Sequence, residues 1–201
     1  MGRVIESQFD FEARYEVEQL ERIDKLGGAS VIGFPDAVDV DRQQELADRP
    51  ILRVHPVGGD PWVGVFYGRA SYPVPPACHG RLLAWPDERS ICVVNAGSGT
   101  VVRSDAPKET YDIASFPITD LLVVPSHSLV VFADFTNLAA YGADGLIWRS
   151  PRLALDELAI TGAEGDVLHA TGFFGERSDI PISVDLQTGL PREPLPLDLS
   201  D

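Results

Sequence analysis

The chain has 201 residues, of which 44% are hydrophobic and 23% charged, a balance typical of a globular protein with one domain and at most an appendage. Its 31 acidic and 16 basic residues give a formal net charge of −15. This charge disfavours binding to nucleic acids and anionic membranes, which depend on clustered lysine and arginine, and favours a basic protein partner.

Nothing in the first 30 residues resembles a secretory signal, because acidic residues interrupt every apolar stretch. Apolar runs such as Leu129–Ala133 are too short to span a bilayer. Two cysteines, Cys78 and Cys92, do not form a disulfide framework in a chain of this length. We therefore expect a cytoplasmic protein.

The N-terminal region, residues 1–76, is predicted to be a small α/β segment. Its dense charges, apolar Val17 and Leu20, and the following Gly27-Gly28 predict a helix over roughly residues 12–26, although the alternation over residues 9–17 is typical of a strand. A second short helix is predicted over Asp41–Ala47.

A β-hairpin is predicted next. Ile51–Val57 and Trp62–Tyr67 are rich in β-branched and aromatic residues, and a Gly-Gly-Asp-Pro loop separates them. The proline-rich segment Tyr72–Ala77 cannot be a central strand and predicts a boundary after residue 76.

The remainder of the chain has a β pattern throughout. Gly99, Gly145 and Gly189 each end a short apolar run, at intervals of about 45 residues that suit repeated strand–turn–strand units. We therefore predict a mainly β fold, with residues 77–192 forming a partial or compact propeller-like stack of antiparallel sheets. Residues 193–201 are predicted to be an extended tail.

Two of these segments resemble the PQQ-like, or quinoprotein-type, β-propeller repeat. The segment Asp185–Gly189 is similar to the Asp-x-x-Thr-Gly turn of that repeat, and Gly145–Trp148 is similar to its Gly-x-x-x-Trp ending, one residue shorter. The resemblance covers roughly residues 80–192 and implies propeller-like sheets in which the Asp and Thr hold a turn and the Trp packs between sheets. It implies no quinone or calcium site, and as a whole the chain resembles short bacterial proteins rather than any named enzyme.

No catalytic, cofactor or metal motif accompanies the repeat. The four histidines are scattered singly, and the Gly-x-Ser-x-Gly elbow is absent because Gly97-Ser98-Gly99 joins two strands. We therefore predict no catalytic residue, no cofactor and no metal ion.

The candidate ligand-binding residues are Asp134, His169, Phe173 and Trp85. Asp134 lies near the end of a predicted strand, and Phe173 lies at the end of another. A carboxylate and an imidazole beside aromatic rings suit a site at the mouth of the sheets. The structural alternatives are a turn cap for the aspartate and core packing for the aromatic residues.

The leading hypothesis is a non-enzymatic protein-binding module with an acidic interaction surface, in one version an immunity- or antitoxin-like protein that neutralises a basic enzyme. One alternative is a small-ligand-binding protein or hydrolase that uses the four residues above. The other is a structural homodimer that closes its sheets across a two-fold axis.

Overall fold

The computed structural model describes residues 6–21, 30–34, 49–68, 75 and 78–196, and over these residues the protein is mainly β. It contains sixteen strands and a short 3-10 turn at Pro125–His127, and no α-helix in the described residues. Accordingly, this part of the chain contains no helix long and apolar enough to cross a membrane. The chain divides into two compact units, Met1–Ile113 and Ala114–Asp201.

The first unit contains nine strands in the described residues: β1 Glu6–Gln8, β2 Tyr15–Gln19, β3 Ser30–Phe34, β4 Ile51–Pro56, β5 Trp62–Phe66, β6 Arg81–Ala84, β7 Ser90–Asn95, β8 Ser98–Arg103 and β9 Thr110–Asp112. They form two sheets with strand orders β2-β4-β5-β3 and β1-β6-β7-β8-β9. Two of the pairings, β1 with β6 and β3 with β5, are parallel, and the others are antiparallel.

The predicted hairpin is confirmed, since β4 and β5 are antiparallel and Val54 pairs with Trp62. The predicted helix over residues 12–26 is wrong where the structure describes it. Tyr15–Gln19 is a strand that pairs with β4, because the two-residue alternation buries Tyr15 in the core while Glu16 and Glu18 stay exposed. Consequently no N-terminal α/β appendage is seen in the described residues.

Other predictions fall on residues that the structure does not describe. These are the remainder of the first helix from residue 22, the helix over Asp41–Ala47, and the boundary between residues 76 and 77.

The two sheets of the first unit share a hydrophobic core. Trp62 and Phe66 contribute to it from one sheet, and Ile91 and Val102 contribute from the other. Two hydrogen bonds cross the layer: the Tyr15 hydroxyl donates to the Ser90 carbonyl at 2.9 Å, and Trp62 Nε1 donates to the Ser104 carbonyl at 2.7 Å. Burial of the phenol raises the pKa of Tyr15 well above its ordinary value, so Tyr15 keeps its donor proton.

The second unit contains seven strands in the described residues: β10 Asp120–Val124, β11 Leu129–Ala133, β12 Leu138–Gly142, β13 Gly145–Arg149, β14 Asp156–Glu164, β15 Val167–Phe173 and β16 Ile180–Asp185. They form two antiparallel sheets, β10-β11-β12-β13 and β14-β15-β16. The two sheets share a core in which Val131, Leu138 and Trp148 from the first sheet join Leu168 and Val184 from the second.

Candidate binding face

One face of the β14–β16 sheet packs on the core of the second unit, and the other is at least partly exposed. Along β15 the residues alternate: Leu168, Ala170 and Gly172 are buried, whereas the four residues between and beside them are partly exposed. Cross-strand partners point to the same side of a sheet, so the register defines the other face. We call it the outer face; it consists of Asp156, Ala159, Gly162, Glu164, Val167, His169, Thr171, Phe173, Pro181, Ser183 and Asp185.

His169 lies in the middle of the outer face. Its neighbours across the sheet are Gly162 on β14 and Ser183 on β16, both small, so space remains on either side of the imidazole ring. Within the described part of the chain, no side chain or backbone group forms a hydrogen bond or ion pair with this ring. The imidazole is therefore available to donate or accept a hydrogen bond from a bound molecule.

Phe173 lies on the same face four residues along β15, beside Asp156 of β14. At about 3.3 Å per residue, the two side chains leave the strand about 13 Å apart. The structure thus places two of the four sequence-predicted residues, His169 and Phe173, on a single accessible surface.

Asp134, in contrast, is only 7% exposed and holds the turn between β11 and β12. Its Oδ1 accepts the backbone N–H groups of Thr136 at 2.9 Å and Asn137 at 2.7 Å. Its Oδ2 accepts a hydrogen bond from Arg149 Nη2 at 3.2 Å. Both carboxylate oxygens are occupied, and among the described residues no hydrogen bond or ion pair joins Asp134 to His169.

Trp85 belongs to the first unit and is 1% exposed. Its ring packs edge-on against Tyr111, with ring centroids 6.5 Å apart. Burial leaves this indole almost no surface for a ligand, and its packing is that of a core side chain.

A hydroxyl, an imidazole and a carboxylate that the sequence analysis did not single out form a chain of hydrogen bonds. Ser126 Oγ lies 3.0 Å from His127 Nδ1, and His127 Nε2 lies 2.9 Å from Asp166 Oδ1. Asp166 follows His127 by 39 positions, so no local motif reveals the contact. The contact ties the 3-10 turn after β10 to the β14–β15 hairpin.

The edge strand β13 carries two adjacent exposed aliphatic side chains. Leu146 is 52% exposed and Ile147 is 55% exposed, where the pairing with β12 shifts by one residue. An edge strand presents unpaired backbone groups, and apolar side chains on it favour association with another strand. This edge is therefore a second accessible surface of the second unit.

Metal ligands are not clustered in the part of the chain that the structure describes: no group of three or more His, Cys, Asp or Glu side chains is placed to hold an ion. Both cysteines are free and buried, and burial raises the pKa of the Cys92 thiol, which leaves it protonated and unreactive.

Comparison with protein-family models and with curated proteins finds no match to this chain.

Proposed function

We propose that the protein is a non-enzymatic binding module whose acidic surface engages a basic protein partner. The observation that carries this proposal is the charge of the second unit, where residues 114–201 contain 13 aspartates and glutamates against 4 arginines. An acidic surface of this kind attracts a basic partner, speeds encounter with it and repels nucleic acid.

Internal ion pairs remove little of this charge. Arg149 pairs with Asp134 at 3.2 Å, and Arg192 pairs with Asp185 at 2.9 Å, so two of the four arginines are already engaged within the unit. The remaining carboxylates outnumber the remaining arginines, so the unit keeps an excess of negative charge that can attract a basic partner. One specific version is an immunity- or antitoxin-like protein that covers a basic enzyme in the cytoplasm.

The scaffold that we propose for this module is a propeller-like stack with PQQ-like repeat turns. The turn after β16 supports it: Asp185 Oδ1 accepts hydrogen bonds from Thr188 N at 3.1 Å and from Thr188 Oγ1 at 3.0 Å. Gly189, which completes this turn, lies against the ring of Trp148 from the other sheet of the unit. The resemblance implies a turn held by the Asp and the Thr and a Trp that packs between sheets.

Two alternatives each have an observation in their favour. His169, which has no hydrogen-bond partner among the described residues, and Phe173, about 13 Å away on the same face, favour a small-ligand-binding protein or hydrolase. The exposed Leu146 and Ile147 on edge strand β13 favour a homodimer.

A pull-down of the tagged protein from its native lysate, at low and at high salt, tests the proposed function. A stoichiometric basic partner that is captured at low salt and lost at high salt is the expected result, because screening weakens attraction between exposed charges. Capture of no partner at either salt concentration contradicts the proposal and turns attention to ligand screening of the outer face.

A further inference from the structure

We infer that the outer face of the β14–β16 sheet is the docking surface for an extended, cationic segment of the partner protein. This inference rests on the proposed function and deepens it by naming the surface and the kind of segment that it fits. It follows from the arrangement of uncharged and charged rows along the sheet.

Within the three strands, the middle of the outer face carries no Asp, Glu, Lys or Arg side chain. Arg192, which is ion-paired with Asp185, adjoins Ser183 beyond the edge of β16. Two cross-strand rows, Ala159–Thr171–Pro181 and Gly162–His169–Ser183, run across the three strands. Apart from His169, the side chains in these rows are small. No bulky side chain of these rows on β14 or β16 therefore blocks an extended segment that lies along β15. The imidazole, which has no partner among the described residues, offers it a hydrogen bond.

Carboxylates stand at both ends of this uncharged region. Asp156 pairs with Phe173 at one end, and Glu164 pairs with Val167 at the other. Neither carboxylate has an ion-pair partner in the described part of the chain. Asp185, in the same row as Val167, has its charge taken up by Arg192 at 2.9 Å.

The distance between the two acidic ends of the outer face determines the spacing that the cationic residues of the partner segment need. Val167 and Phe173 are six positions apart on one strand, which corresponds to about 20 Å at 3.3 Å per residue. An extended partner segment with lysine or arginine at two positions six apart places both cations on the same side and at this separation. Small or β-branched residues between them suit the uncharged rows.

A titration with two peptides that have the same composition and charge, but a different spacing of their lysines, tests the inference. The probe is the capped peptide Lys-Val-Thr-Val-Thr-Val-Lys, and its control is Lys-Lys-Val-Thr-Val-Thr-Val, which has the same composition and charge but adjacent lysines. Both are titrated into the full chain while the His169 ring protons and the backbone amides are followed by NMR. We expect the first peptide to shift the signals of Gly162, His169 and Ser183 and to bind more tightly than the second.

Three variants locate the interaction. Glu164→Lys replaces an attraction by a repulsion at one end and is expected to weaken binding about fivefold or more. His169→Ala is expected to weaken binding without changing its dependence on salt, since the proposed contact is a hydrogen bond rather than an ion pair. Asp144→Lys makes the same charge change on an exposed turn of the other sheet and is expected to leave binding nearly unchanged.

The outcomes separate this inference from the proposed function when the same variants enter the lysate pull-down. If the unmodified protein captures a basic partner and Glu164→Lys captures it equally well, the result supports the proposed binding function. The same result contradicts the inference that the outer face is the docking surface. Equal losses from Glu164→Lys and Asp144→Lys also overturn it, because the attraction is then a property of net charge. If the unmodified protein captures nothing, both proposals fail together.

Discussion

Gly189 lies directly against the ring of Trp148, so closely that a Cβ atom on this glycine would stand 2.4 Å from Trp148 Cε3. The same indole donates its Nε1 hydrogen to the Leu186 carbonyl at 2.7 Å. The two residues are 41 positions apart in the chain, and their contact joins edge strand β13 of one sheet to the turn after β16 of the other. This contact closes one end of the core of the second unit.

Replacing this glycine is expected to destabilise the protein strongly. Gly189→Ala places a methyl group inside the van der Waals radius of the ring, at a residue whose φ of +73° already disfavours a side chain. We expect the free energy of unfolding, measured by urea denaturation, to fall by about 2–4 kcal/mol. Gly165→Ala is the matched control, since Gly165 has a φ of +55° and open space around its Cβ position; a similar loss in both variants would mean that backbone strain alone is responsible.

The Asp185 turn should make stability depend on pH. The hydrogen bond from the Thr188 hydroxyl is the largest effect and lowers the pKa of Asp185 below its ordinary value of 3.8. Burial opposes it, and hydrogen bonds from Arg192 and from the backbone of Gln187 and Thr188 add to the lowering. A carboxylate whose pKa is lower in the folded state stabilises the fold above the unfolded pKa, and this stabilisation is lost as the pH falls through the folded value. In Asp185→Asn we therefore expect lower stability than in the unmodified protein near neutral pH, and a difference that shrinks below about pH 4. Urea denaturation at several pH values measures it, and a difference that stays constant down to the acid limit would contradict the linkage.

Asp134 should behave as a turn residue rather than as a ligand-binding residue. Asp134→Ala removes the acceptor of two backbone N–H groups and the partner of Arg149, so we expect a loss of about 1–2 kcal/mol in unfolding free energy. Asp134→Asn keeps one acceptor oxygen and should recover part of the loss. Asp144→Ala, at an exposed turn position, serves as the control. A variant of Asp134 that folds normally but loses partner or ligand binding would restore the binding interpretation.

The homodimer alternative predicts a particular surface. If two copies associate through β13, the mass in solution is near twice 21.8 kDa, and the double variant Leu146→Lys with Ile147→Lys returns it to 21.8 kDa because lysine blocks edge-to-edge pairing. Light scattering during size-exclusion chromatography measures this mass. Val57→Lys, at a residue that is 77% exposed in the first unit, adds a lysine to a different surface and should change nothing. A monomeric unmodified protein would remove this alternative.

A pattern confined to a few neighbouring residues predicted the β4–β5 hairpin correctly. The hairpin of β4 and β5 follows from two β-branched runs and the Gly-Gly-Asp-Pro loop between them, all of which act locally. The shared face of His169 and Phe173 is not among the predictions made from the sequence, although it follows from the two-residue period of a strand once the segment is known to be one. The segment at Tyr15 failed because a short apolar pattern fits a helix or a strand, and pairing with β4 decides between them.

By itself, the sequence determined the mainly β character of the chain, its acidic balance and the position of the turn that Asp185 and Thr188 hold, because turn chemistry and side-chain alternation are local properties. Only the tertiary structure decided which surfaces remain accessible. Burial of Trp85 and the pairing of Asp134 with Arg149 depend on residues brought together by sheet packing, as do the contact of Gly189 with Trp148 and the link from His127 to Asp166. These contacts join positions that are distant in the chain, and the free energy that selects them comes from burying the two sheets of a unit against each other.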